Sequence, residues 1–171
     1  MATNDLQLKE YSVWDEVKHW LPSILMLPLM IYWVLNRGHY GFIDNADLVI
    51  HEAGHIFFMI FGRFIHAAGG TLMQIILPLG IALFFLKNQY KTGIQVSLLW
   101  LGQNLINISV YASDARAHKL KLLGGSKVYH DWTYLLSQIG LLDYDQQVGY
   151  FFYGAAIIIF LISLILPKIF R

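Results

Sequence analysis

Residues 46–65 read ADLVIHEAGHIFFMIFGRFI. The stretch has the length of a helix that crosses a bilayer, about 20 residues. Its apolar run is interrupted by Asp47, His51, Glu52, His55 and Arg63. An ionisable side chain at the bilayer centre costs about 2.5–3.5 kcal/mol on insertion scales, so such residues face a cavity or a partner. A helix this apolar and this charged therefore belongs inside a bundle whose other members cover its polar side.

The flanking sequence supplies those members. Trp20 to Leu35 is a first span, with Pro22 near its start and Pro28 as a kink. After the quoted stretch come Ala67-Ala68-Gly69-Gly70, read as a sharp reversal, and a third span from Thr71 to Leu86. Thr92 to Ser113 makes a fourth span with Gln103, Asn104 and Asn107 in its middle. Val148 to Leu166 makes a fifth, ended by Pro167 and Lys168. Met1 to His19 mixes charged and apolar residues in the manner of a short interfacial helix, without the basic leader and cleavage site of a signal peptide. Between the last two spans, residues 114–147 form a polar loop in which Leu135, Leu136, Ile139, Leu141 and Leu142 predict a short helix lying on the membrane surface or folding back over the bundle. The expected architecture is all-α: a single polytopic membrane domain over residues 1–171, with about five transmembrane helices and an N-terminal interfacial helix, placed in the cell membrane.

Composition agrees. Of 171 residues, 57% are hydrophobic and 13% charged, about half the charge of an average soluble domain. Twelve Lys and Arg against eleven Asp and Glu leave no basic excess for nucleic acid. With no cysteine, disulfides, thiolate metal sites and Cys nucleophiles are excluded, and any metal must sit on His, Asp, Glu or carbonyl groups.

The residues His51-Glu52-Ala53-Gly54-His55 form an HExxH motif. On a helix, positions four apart share a face, so both imidazoles can point at one metal ion while Glu52 stands beside them. Two His nitrogens and one carboxylate suit a single Zn2+ per chain and leave a position for water, whose pKa falls to about 7. Glu52 would take the proton of that water and deliver it to the leaving group.

A third protein ligand is required, and three residues compete for the role. Asn104, Asn107, Tyr111 and Asp114 lie on one helical stripe, and Asp114 is the carboxylate where the apolar run stops. If the spans alternate fully, however, Asp114 sits at a span end while the His pair is near mid-depth, about 10 Å or more away along the membrane normal. His130 or Asp131, folding back from the polar loop, is then the alternative ligand; the bland reading of the pair is that Asp131 caps a helix starting at Trp132. Asn104, Asn107 and Tyr111 either line the substrate cleft or serve as hydrogen-bonding glue between helices.

From Asp47 to Asp114 the chain resembles the site-2 protease family of intramembrane zinc metalloproteases. The matching features are HEAGH within an apolar helix, the continuation Ile56-Phe57-Phe58 to Phe61-Gly62, an intervening span, and an Asn-containing span ending in Ser113-Asp114-Ala115. The resemblance implies zinc on His51, His55 and Asp114, with Glu52 as general base, and hydrolysis of a peptide bond in a membrane-bound substrate. The chain lacks that family's proline before the Asp, has Ala in place of the following Gly, and carries no PDZ-like insertion. Two other expectations stand beside this one: a membrane zinc hydrolase acting on a lipid amide or ester, and a non-enzymatic metal-binding membrane protein.

Overall fold

The computed structural model describes residues 13–120 and 129–170. Its helices are α1 (Val13–Leu35), α2 (Phe42–Phe58), α3 (Arg63–Lys87), α4 (Lys91–Ser113), α5 (Asp131–Gln138) and α6 (Asp145–Ile169). Short 3-10 turns occupy Met59–Phe61 and Leu142–Tyr144. No strand occurs among the described residues, so the all-α expectation holds. Among the described residues, three stretches are long and apolar enough to cross a membrane: Val13–Leu35, Arg63–Lys87 and Leu142–Ile169.

The bundle is built around α4, which is buried along most of its length although it is the more polar of the long helices. It packs along α6 on one side and α3 on another, α1 lies against α6 and α4, and α2 pairs with α3. An unsatisfied polar group costs several kcal/mol in a lipid environment, so a helix with polar residues on several faces belongs in the middle. Gln95 shows how this works. Its amide donates to Ser23 Oγ of α1 at 2.8 Å and to the Ser163 carbonyl of α6 at 2.9 Å, and Ser163 Oγ donates back to the Gln95 carbonyl at 3.0 Å. The outer faces of the peripheral helices are apolar and exposed, with Ile24 and Leu25 on α1, Leu83 and Phe84 on α3, and Phe151 and Ile158 on α6.

Several boundaries differ from the sequence reading. The helix expected over 46–65 is α2 over Phe42–Phe58, which ends in the 3-10 turn Met59–Phe61, and Arg63 opens α3 instead of closing the same span. The reversal between α2 and α3 is made at Gly62 (φ 88°), whereas Gly69 and Gly70 lie inside continuous helix. Both places need glycine for different reasons, a left-handed backbone at Gly62 and the lack of a Cβ at Gly69 and Gly70. An alanine Cβ at Gly54 would fall 2.7 Å from the Gly69 carbonyl carbon and 2.8 Å from Met73 Cβ, so α2 and α3 touch backbone to backbone there. The interfacial helix expected over 1–19 falls mostly outside the described residues; Val13 to His19 continue directly into α1, with Asp15 and Glu16 placed favourably in its first turn. Pro167 lies within α6, which runs to Ile169.

Candidate metal centre

Helix α2 places His51 and His55 on the face that meets α3, with ring centroids 4.8 Å apart. His51 is buried and its ring fills the space where Gly70 has no side chain. Its Nδ1 donates to Gln74 Oε1 of α3 at 3.0 Å, and the Nδ1 of His55 donates to the His66 carbonyl at 2.8 Å. Those two protons are thus committed to acceptors on α3, and in the neutral rings each Nε2 keeps its lone pair.

Both Nε2 atoms face the same carboxylate oxygen, Asp131 Oδ2, at 3.1 Å from His51 and 3.2 Å from His55. The three ligand atoms lie within 4.8 Å of one another. Ligands held about 2.0–2.1 Å from a tetrahedral zinc stand about 3.3 Å apart, close to these separations. Three acceptors converging on one point repel one another unless a cation or a proton lies among them, and His51, His55 and Asp131 therefore fit a metal ion. Burial alone would raise the Asp131 carboxyl. The imidazoles of His51 and His55, when protonated, more than offset it and hold the carboxyl below the usual carboxylate range. Protons and metal compete for the same atoms.

The first turn of α5 carries Asp131 to this position, and Tyr111 of α4 fixes it there. The phenol donates to Asp131 Oδ2 at 3.1 Å and accepts from the Asp131 backbone N–H at 3.2 Å. His130, not Asp131, is the N-cap of α5, its Nδ1 accepting from the Thr133 N–H. Burial pushes its pKa down, against the opposing pull of Asp114, in keeping with that accepting role.

The structure does not bring Asp114, the sequence-based first choice for third ligand, to the His pair. Its carboxylate accepts from the backbone N–H groups of Lys119 at 2.8 Å and Leu120 at 2.9 Å, and lies 3.6 Å from His130 Nε2. Asp114 thus organises the chain leaving α4. Asn104 donates to Asp47 Oδ1 at 3.1 Å and Asn107 to Asp44 Oδ1 at 3.0 Å, joined by Trp100 on Asp47 and Gln103 on Asp44. These bonds dock α4 on α2. Gln74, Asp44, Gly70 and the His66 carbonyl are the contributors that sequence reasoning missed. Gln74 was detectable in principle, as the amide in an otherwise largely apolar span.

Glu52 and the three candidate ligands line a cleft of about 870 Å³. Arg63, Tyr129 and Tyr134 line it too, the guanidinium lying 4.8 Å from the Tyr134 ring centroid and 5.5 Å from that of Tyr129. The chain matches no protein-family model, no curated protein and no solved structure.

Proposed function

We propose that this is a membrane protein whose site holds one divalent metal ion, with zinc as the ion of choice, on His51, His55 and Asp131. The observation that carries the reading is the convergence of two imidazole Nε2 atoms and one carboxylate oxygen, each with its other partners already assigned. Two imidazoles and a carboxylate are a donor set that zinc favours. Elemental analysis of the detergent-purified protein tests it: about one zinc per chain is expected, and a metal-replete, folded sample without stoichiometric metal overturns it.

Because metal displaces protons from the imidazoles, zinc affinity is expected to fall as the pH drops. With two rings to deprotonate, the fall reaches up to about 100-fold per pH unit. Competition titrations with a chelator between pH 5.5 and 7.5 read this slope. A flat profile argues that these rings do not bind the ion.

Hydrolysis is a second reading, favoured by the place of Glu52. It follows His51 in sequence and lines the same cleft, which is large enough to admit a substrate segment. Zinc, when bound, supplies a Lewis acid and acidifies water. Glu52 would accept a proton in the cleft and return it to a leaving amine or alcohol, while Tyr111 keeps Asp131 oriented. A peptide bond in a membrane-bound segment is the first candidate substrate and a lipid amide or ester the second. In this reading α2 and α4 complete a five-span bundle in the cell membrane. Glu52→Gln is expected to keep zinc and lose turnover by about 10²-fold or more against peptide and lipid-amide substrates. Unchanged function in that variant would mark the protein as a non-enzymatic metal holder.

A further inference from the structure

The polar residues around the candidate centre form a directed chain, and its direction decides which nitrogen of His51 is free. Asp44 sits two turns before His51 on α2 and its carboxylate, when ionised, can only accept. Oδ1 accepts from Asn107 Nδ2 and from Gln103 Nε2, each at 3.0 Å, and Oδ2 accepts from the Gly41 N–H. Asn107 must therefore turn its NH2 toward Asp44 and its carbonyl away. Gln74 Nε2 donates to that carbonyl at 3.3 Å. With its NH2 so engaged, Gln74 presents its own carbonyl to His51 Nδ1 at 3.0 Å. A carbonyl oxygen can only accept, so Nδ1 carries the proton and Nε2, the atom facing Asp131, keeps its lone pair.

We infer that Asp44 is a positioning residue for metal binding: through Asn107 and Gln74 it fixes the tautomer of His51 that can ligate. This rests on the metal reading above. The circuit leaves α2, crosses α4 and α3, and returns to α2. If either amide turned over, Gln74 would offer an N–H to Nδ1, His51 would carry its proton on Nε2, and that proton would stand where the metal belongs. His55 needs no such device, because its Nδ1 meets a backbone carbonyl whose polarity is fixed. One ligand is thus oriented unconditionally and the other through two side-chain amides.

The test is zinc affinity of the full chain in detergent, measured by competition with a chromophoric chelator. Gln74→Leu removes the acceptor and is expected to weaken zinc binding by about 10–100-fold, the usual effect of losing an outer-sphere partner. Gln74→Glu keeps an acceptor whichever way Asn107 points, and is expected to stay within a few-fold of the wild type. Asp44→Asn, which can offer an N–H in place of an acceptor, is expected to weaken zinc binding several-fold in the wild-type background and to have little effect combined with Gln74→Glu. A merely structural role for Asp44, as a helix cap, gives the same loss in both backgrounds and overturns the proposal.

A second measurement needs no variant. Histidine-selective 15N spectra of the metal-free wild type are expected to show His51 protonated on Nδ1 and not on Nε2 at a pH above the imidazole range. The opposite tautomer overturns the relay even where zinc binds. A wild type that binds no zinc yet shows the expected tautomer fails on the metal reading and not on the relay's geometry.

Discussion

Asp131→Ala is expected to abolish stoichiometric zinc, whereas Asp114→Ala is expected to keep it. Structural zinc sites are worth roughly 10 kcal/mol or more, so losing one of three protein ligands removes about 3 kcal/mol at an even share. At 1.4 kcal/mol per decade that is a loss of on the order of 100-fold or more. Asp114 touches neither candidate imidazole of α2; its carboxylate accepts two backbone N–H groups of the loop. Its removal is expected to cost about 1.5–3 kcal/mol of stability, the usual worth of hydrogen bonds to a charged group, with zinc affinity changed only a few-fold. Metal analysis together with unfolding of each variant separates the two outcomes. Zinc lost in Asp114→Ala and retained in Asp131→Ala reverses the assignment and returns the third ligand to the end of α4.

The second large effect is expected at Gly54, the fourth residue of HEAGH. A methyl group there meets the Gly69 backbone and Met73 Cβ, and helix backbones cannot yield as a side chain does. Overpacking of side chains costs about 1–3 kcal/mol, and Gly54→Ala is expected at or beyond the upper end, because α2 must move off α3 as a body. The His pair would then leave Gln74 and the His66 carbonyl, so zinc binding falls together with the unfolding midpoint. Gly80→Ala is the control. Gly80 lies in the same α3 with nothing within 4 Å of its missing Cβ, and the substitution is expected to be neutral or to stabilise by about 0.5–1 kcal/mol. Equal behaviour of the two variants in thermal unfolding argues that α2 and α3 are not in backbone contact.

The contrast between these sites shows how far the sequence could be read. Helix α4 is observed over Lys91–Ser113 against an expected Thr92 to Ser113, because its boundaries lie where long apolar runs meet charged residues. HEAGH was equally plain, since ligand spacing within one helix is a local property. The third ligand was not. Asp131 reaches His51 across 80 residues of chain, by way of the turn after α4, the start of α5 and the Tyr111 hydroxyl. Nothing in helical periodicity carries that information, and Asp131 appeared only as an alternative to Asp114. The glycine pair was misplaced for a related reason. Glycine serves both reversals and close helix contacts, and only the position of α2 tells which applies at Gly69. Asn104 and Asn107 were open between cleft lining and interhelical bonding. Asn107 does both, lining the cleft and donating to Asp44, whereas Asn104 donates to Asp47 of the neighbouring helix.

Those partners also set a timetable for biosynthesis. Asp44 and Asp47 leave the ribosome 53 to 63 residues before Trp100, Gln103, Asn104 and Asn107, which are to satisfy them. At about 5–20 residues per second, the wait lasts roughly 3–13 s. During that interval α2 has its glycine contact with α3 available but no amides for its carboxylates, so it cannot settle among lipid tails on its own terms. On the five-span reading proposed above, it lingers in a hydrated place, beside the translocation machinery or at the bilayer surface, until α4 arrives. Nascent chains halted before α4 are thus expected to hold α2 in a form accessible to water-soluble reagents, and chains halted after it to shield the same residues.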